Sequence, residues 1–208
     1  MPLPMVHMAV AHEIAKIRGV EPTGSYYLGA IAPDAVHMRA DYESRHKAAS
    51  HFSDYWSQYF DPIVHRRNVL ISYAEHRDDP FYEGYIAHNL TDINWNYSTG
   101  RALRDACRAD PGPLMTAVHR YYNDTDIIDL MLYQNMPWRE EAFAALAAAP
   151  AQAYDDLVTA GECDAWRVRT LNWYTERNID SYFPLRHADY EGILEFIHRA
   201  AREIAWLL

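Results

Sequence analysis

The chain has 208 residues and half of them are hydrophobic, enough to bury a core within one domain. Its formal charge is −10 with histidine neutral, which excludes non-specific binding to nucleic acid or to an anionic membrane, since both need a basic surface. Two cysteines, Cys107 and Cys163, lie far apart at no zinc spacing, so a disulfide-stapled secreted fold is not expected.

The opening residues, MPLPMVHMAV, have neither a basic stretch nor a long apolar run, and no run of roughly 18 apolar residues follows. The expectation is a cytoplasmic protein with no integral membrane association. Val6, Val10, Ile14 and Ile17 recur on one face of a first helix that ends near Gly19, with Pro22 and Gly24 in the turn after it. YYLGAIAPDA is apolar with a break at Pro33. Helix is predicted there, because nothing else in the chain supplies strand partners. Asp41 to Lys47 is polar and reads as a loop. His51 to Phe60 reads as a helix, with Phe52, Tyr55, Trp56 and Tyr59 at helical spacing.

Asp61-Pro62 and Asp79-Pro80 each pair an N-cap with a first-turn proline. The first opens a helix to about His76, the second the helix that carries Gly84 to Tyr97. Pro111-Gly112-Pro113 separates the latter from a helix starting near Leu114, and further helices are predicted at Ala142–Ala149, Asp164–Arg177 and Asp189–Leu208. The fold class is all-α, a compact bundle of roughly seven to nine helices in one domain over residues 1–208.

Histidine is the unusual component. Eight of the 11 histidines fall between His7 and His88. His88 and Asp92 are four apart in YIAHNLTDINW, which on a helix puts both on one face, about 6 Å apart, where they could share a divalent ion. Taken alone such a pair is more often solvated or capped. Asp34 follows Pro33 in an apolar segment, where a buried carboxylate needs a partner; the other reading is an N-cap for the next turn. His51 in KAASHFSDYW and His7 beside the first apolar stripe each read, alone, as core or boundary histidines. Together, three imidazoles and two carboxylates suit Zn2+ or another divalent first-row metal.

Arg39 and Lys47 flank Asp34 and His51 in sequence and are candidates to bind a phosphate oxygen, against the alternative of solvated loop charges. His37 and Asn89 are candidates to hydrogen-bond the ligands. Trp95, Tyr85, Phe52 and Trp56 read as core rather than as a substrate wall. His119, Asn123, Asp124, Asp126 and Asp129 read as a solvated turn and helix start rather than a second acidic site.

The pieces MPxxxxH, YLGAIAPDA, KxxSHF and GYxxHNLTDxxW, in that order over roughly the first hundred residues, resemble the zinc-dependent phospholipase C family. The resemblance implies a helical bundle of the phospholipase C and P1 nuclease type that hydrolyses phosphodiesters at a zinc cluster. It implies that Asp34, His51 and His88 hold one metal, and that Asp92 bridges to or holds a second with His7. Asp34 would orient or deprotonate the attacking water. Packing logic, rather than the resemblance, makes residues 101–208 covering helices over the site. No histidine falls between His88 and His119, so that family's later histidine-and-glutamate set has no counterpart here, and one or two ions are expected.

The expected function is a metal-dependent hydrolase acting on a small-molecule phosphate ester. Two alternatives stand beside it. One is a helical phosphohydrolase of the HD kind, although its adjacent His-Asp dipeptide is missing. The other is a non-catalytic metal-binding helical protein, against which two aspartate ligands and no cysteine count.

Overall fold

A computed structural model describes residues 3–53, 61–76, 78–112 and 115–208. Among them the chain forms ten α-helices and no strand: α1 (Pro4–Arg18), α2 (Gly24–Ile31), α3 (Ser44–Ser50), α4 (Pro62–Glu75), α5 (Pro80–Tyr97), α6 (Thr99–Ala109), α7 (Ala117–Asn135), α8 (Arg139–Ala148), α9 (Ala160–Glu176) and α10 (Tyr190–Ala205). Two 3-10 segments, Ala32–Met38 and Ile179–Ser181, complete the set. No helix among the described residues is long and apolar enough to cross a membrane.

The all-α expectation holds, with more helices than expected. One addition is α3, in a stretch that reads as a loop. The Glu43 carboxylate caps it, and the His46 ring accepts from the Glu43 N–H in return, in a box whose usual partner is Glu or Gln. The other is α6, split from α5 at Ser98, where the backbone leaves helical geometry (φ −131°, ψ −110°). Tyr55, Trp56, Tyr59 and Leu114 lie outside the described residues.

Local signals placed most boundaries. Asp61 and Asp79 accept from the N–H groups of Ile63 and Phe81, each at 2.8 Å, and a proline follows each cap. Gly19 ends α1 in the left-handed region at φ +67°. Ile17, expected on the apolar face, is 47% exposed because it lies on the last, outward turn of α1.

Helix α5 runs through the middle. Phe81 and Tyr85 join a core with α2, α8 and α9, whereas Ile86, Leu90, Ile93 and Trp95 join one with α1, α7 and α10. Its approach to α2 depends on two glycines. A Cβ on Gly84 would lie 2.1 Å from the Tyr26 carbonyl oxygen, and one on Gly29 would lie 2.0 Å from that of Phe81. Both glycines sit in the motifs that carry Asp34 and His88, so the backbone contact and the candidate ligands are set by the same segments.

Candidate metal centre

Each candidate ligand is fixed by the backbone around it. His88 sits on α5, where the close α2 contact brings its Nδ1 within 2.8 Å of the Ala30 carbonyl oxygen. A carbonyl only accepts, so Nδ1 carries the proton and Nε2 presents a bare lone pair. His51 is oriented in the same way, with Nδ1 2.9 Å from the Lys47 carbonyl oxygen and 2.9 Å from the Ser50 hydroxyl.

His51 therefore closes α3 rather than opening a helix. The turn after it is a Schellman motif: the Phe52 N–H donates to Ala49 and the Ser53 N–H to Ala48. Phe52 takes the left-handed position (φ +51°) that usually falls to glycine. Ser50 also donates to the Pro33 carbonyl oxygen at 2.9 Å, tying α3 to the 3-10 segment that carries Asp34.

His7 lies one turn into α1. The first amides of that helix are satisfied from α7: the Asp129 carboxylate accepts from the Met5 N–H (3.3 Å) and the Val6 N–H (3.2 Å), and from the Tyr174 hydroxyl. Asp129 and Asp124, expected on a solvated turn, are fully buried within α7. Asp124 accepts from the amides of Arg186, His187 and Ala188, so both carboxylates anchor distant backbone. Such a role has no local sequence signal.

The structure brings His7, Asp34, His51, His88 and Asp92 together, all at most 8% exposed. Among the described residues two groups could hold an ion, Asp34–His51–His88 and His7–His88–Asp92, with the ligand atoms of each within 4.8 Å of one another. An imidazole nitrogen has one lone pair, so His88 can serve only one of them.

Spacing and satisfaction favour ion ligation over hydrogen bonding. His51 Nε2 lies 3.5 Å from Asp34 Oδ1 and 3.5 Å from Asp92 Oδ2, and His7 Nε2 lies 3.6 Å from Asp92 Oδ1. A good N–H···O bond spans about 2.9 Å, whereas two atoms each about 2.1 Å from one tetrahedral zinc lie about 3.4 Å apart. His7 Nε2, His51 Nε2, His88 Nε2 and Asp92 Oδ1 are all buried with no hydrogen-bond partner among the described residues. Buried polar atoms are rarely left so, and four that converge fit a bound cation.

The electrostatics agree. Burial holds His7, His51 and His88 below the usual histidine range, so they are neutral and ready to ligate. Burial raises the Asp92 carboxyl, more than His88 and Lys47 offset. Burial would raise Asp34 too, but Lys47, His51 and His88 together hold it well below the usual carboxylate range. Lys47 Nζ donates to Asp34 Oδ1 at 2.8 Å and to His37 Nε2 at 3.1 Å. Thus, among the described residues, Asp34 has a lysine in contact and Asp92 has none.

The remaining candidates divide. Lys47 and His37 line a cavity of about 540 Å³ together with Asp34. Arg39 does not line it: its guanidinium is held by both Glu162 oxygens and donates to the Leu157 carbonyl. Asn89 donates to the Tyr85 carbonyl oxygen at 3.1 Å and hydrogen-bonds no candidate ligand. The far wall consists of residues that the sequence reading missed, Trp166, Arg169 and Trp173 on α9 and Tyr122 on α7. A signal for them existed, because Trp166, Arg169, Thr170 and Trp173 fall at i, i+3, i+4 and i+7 on one helix face.

Comparison with family models, with curated proteins and with solved structures finds no match to this chain.

Proposed function

We propose that His7, Asp34, His51, His88 and Asp92 hold two divalent first-row ions, zinc by their donor set, and that the protein hydrolyses a phosphate ester in the cavity beside Asp34. The observation that carries this reading is the convergence of four buried ligand atoms without hydrogen-bond partners at ion-sharing distances. Asp92 places Oδ1 3.6 Å from His7 Nε2 and Oδ2 3.5 Å from His51 Nε2, so each of its oxygens would be available to hold an ion together with one of these histidines. The ordered motifs that resemble the zinc-dependent phospholipase C family point the same way.

Bound ions would supply Lewis acidity, a more acidic water and positive charge against the negative charge developing at phosphorus. The chain's own residues do the rest. The Ala30 and Lys47 carbonyls lock the His88 and His51 rings with Nε2 facing the cluster. Asp34 is the one candidate ligand that also lines the cavity. From the cavity wall Asp34 would orient the attacking water. Lys47 holds Asp34 in place and offers its ammonium to a phosphate oxygen from the cavity wall.

The test is hydrolysis of bis(p-nitrophenyl) phosphate and p-nitrophenyl phosphate, with bound metal quantified in the same sample. Turnover that is lost on chelation and restored by Zn2+ supports the reading. Metal without turnover of any ester would leave a non-catalytic metal site.

A further inference from the structure

We propose that the cavity beside Asp34 takes a phosphate ester carrying a flat aromatic group, with Arg169 and Lys47 holding the anion and Trp173 stacking on the ring. This deepens the hydrolase reading and rests on it for the ester, but the binding itself uses only side chains of this chain.

The cavity, about 540 Å³, has the size of sites that bury a compact organic ligand. Its charge is unusual for this protein. The chain carries 29 acidic and 19 basic residues, yet among the described residues this wall presents two cations, Lys47 and Arg169. Lys47 is matched by Asp34. Arg169 has no carboxylate within ion-pair distance among the described residues; instead its guanidinium lies over the Trp166 ring, 4.7 Å from the centroid. Stacking holds the planar fork in one orientation while leaving its N–H groups available, and a fork so held recognises phosphate better than a flexible ammonium does.

Apart from Asp34, His37 and Thr170, the remaining described lining is aromatic or apolar, with Trp166, Trp173 and Tyr122 among it. An inorganic anion would satisfy the cations and leave these faces wet. An ester with a ring satisfies both, because offset stacking on an indole adds to simple area burial. Asp34 lines the same cavity, so a phosphate held by Lys47 lies beside the metal ligands.

The experiment is calorimetric titration of the protein as purified with phenyl phosphate, methyl phosphate and octyl phosphate, with metal content measured on each sample. Phenyl phosphate is expected to bind about tenfold more tightly than methyl phosphate, and more tightly than octyl phosphate. Arg169 is exposed, so Arg169→Gln threatens no core; it should weaken phenyl and methyl phosphate alike by about tenfold and leave metal content unchanged. Trp173→Leu should weaken phenyl phosphate about tenfold and leave methyl phosphate within about twofold. Wild-type affinity in Arg169→Gln, equal affinity for the phenyl and methyl esters, or tighter binding of octyl phosphate would overturn the proposal. If no metal is found and the affinities follow the expected order, the hydrolase reading falls and the aromatic anion site stands. If metal is present and Arg169→Gln binds as wild type, the aromatic anion site falls, and the hydrolase reading stands only where the same sample also turns over ester.

Discussion

The imidazoles of His7 and His88 lie face to face inside the protein, ring centroids 3.6 Å apart and planes within 8° of parallel. Neither Nε2 has a hydrogen-bond partner among the described residues. Two protonated rings cannot share that space, and burial already keeps both neutral. Two neutral rings stacked with lone pairs unused are costly in a core unless something accepts those lone pairs. A divalent ion does so, which links this packing detail to the proposed chemistry.

Removing the ion should therefore loosen the fold. A ligand present at about 100 times its Kd stabilises the native state by about 2.7 kcal/mol, which for a chain of this size corresponds to a melting shift of about 5–10 °C. Chelation should lower Tm by that order, and added Zn2+ should restore it. A melting curve indifferent to chelator would contradict the account.

Gly84→Ala should damage the site from a distance. The added methyl would meet the Tyr26 carbonyl oxygen at 2.1 Å, and that atom is backbone and cannot rotate away. Parting α2 from α5 should cost about 3 kcal/mol, the upper end for overpacking. It should also break the His88–Ala30 contact. Denaturant titration and a metal-affinity measurement on the same variant check both effects, and a stable variant with weakened metal binding would separate them.

These two cases show what could be read from sequence. The N-caps Asp61 and Asp79 and the stop at Gly19 are local chemistry, and they are where the sequence suggests. The five candidate ligands were legible because they stand in four ordered motifs. What aims them was not, since the Ala30 and Lys47 carbonyls belong to the backbone and carry no residue identity. Helix α3 escaped because its capping box closes with His46, an uncommon residue for that position. Arg39 next to the motif proved to be tied to Glu162, whereas Arg169, more than a hundred residues downstream, lines the cavity. Proximity in sequence was a poor guide wherever a distant helix supplied the partner.

Asp129 should give the protein a pH-dependent clamp on α1. Burial raises its carboxyl to about 7, against the opposing pull of the Tyr174 hydroxyl and the Met5 and Val6 amides. Its folded pKa lies above the unfolded value, so its contribution is fully present below about pH 4 and is lost as pH rises through about 7. In Asp129→Asn the side chain cannot ionise, so the variant's stability relative to wild type should improve by a few kcal/mol between pH 4 and pH 8. Denaturation midpoints at both pH values check this, and a difference that is flat with pH would refute it.

Lys47→Met should separate metal binding from turnover. It removes the cation on Asp34 Oδ1 and on the cavity wall, but none of the five candidate ligands. Ester hydrolysis should fall by about two orders of magnitude or more, as for loss of one charged donor to a developing anion. Bound metal should be retained, and Lys47→Arg should recover part of the rate. Unchanged kcat/KM in Lys47→Met would remove Lys47 from the reaction.

The decisive measurement is metal content by elemental analysis of the purified protein and of an Asp92→Ala, His88→Ala double variant. Asp92 Oδ1 and His88 Nε2 are both buried ligand atoms without a hydrogen-bond partner among the described residues. Wild type should carry about two equivalents of a divalent first-row ion, and the double variant essentially none while remaining helical by circular dichroism. No metal in wild type, or equal metal in both proteins, would contradict the account.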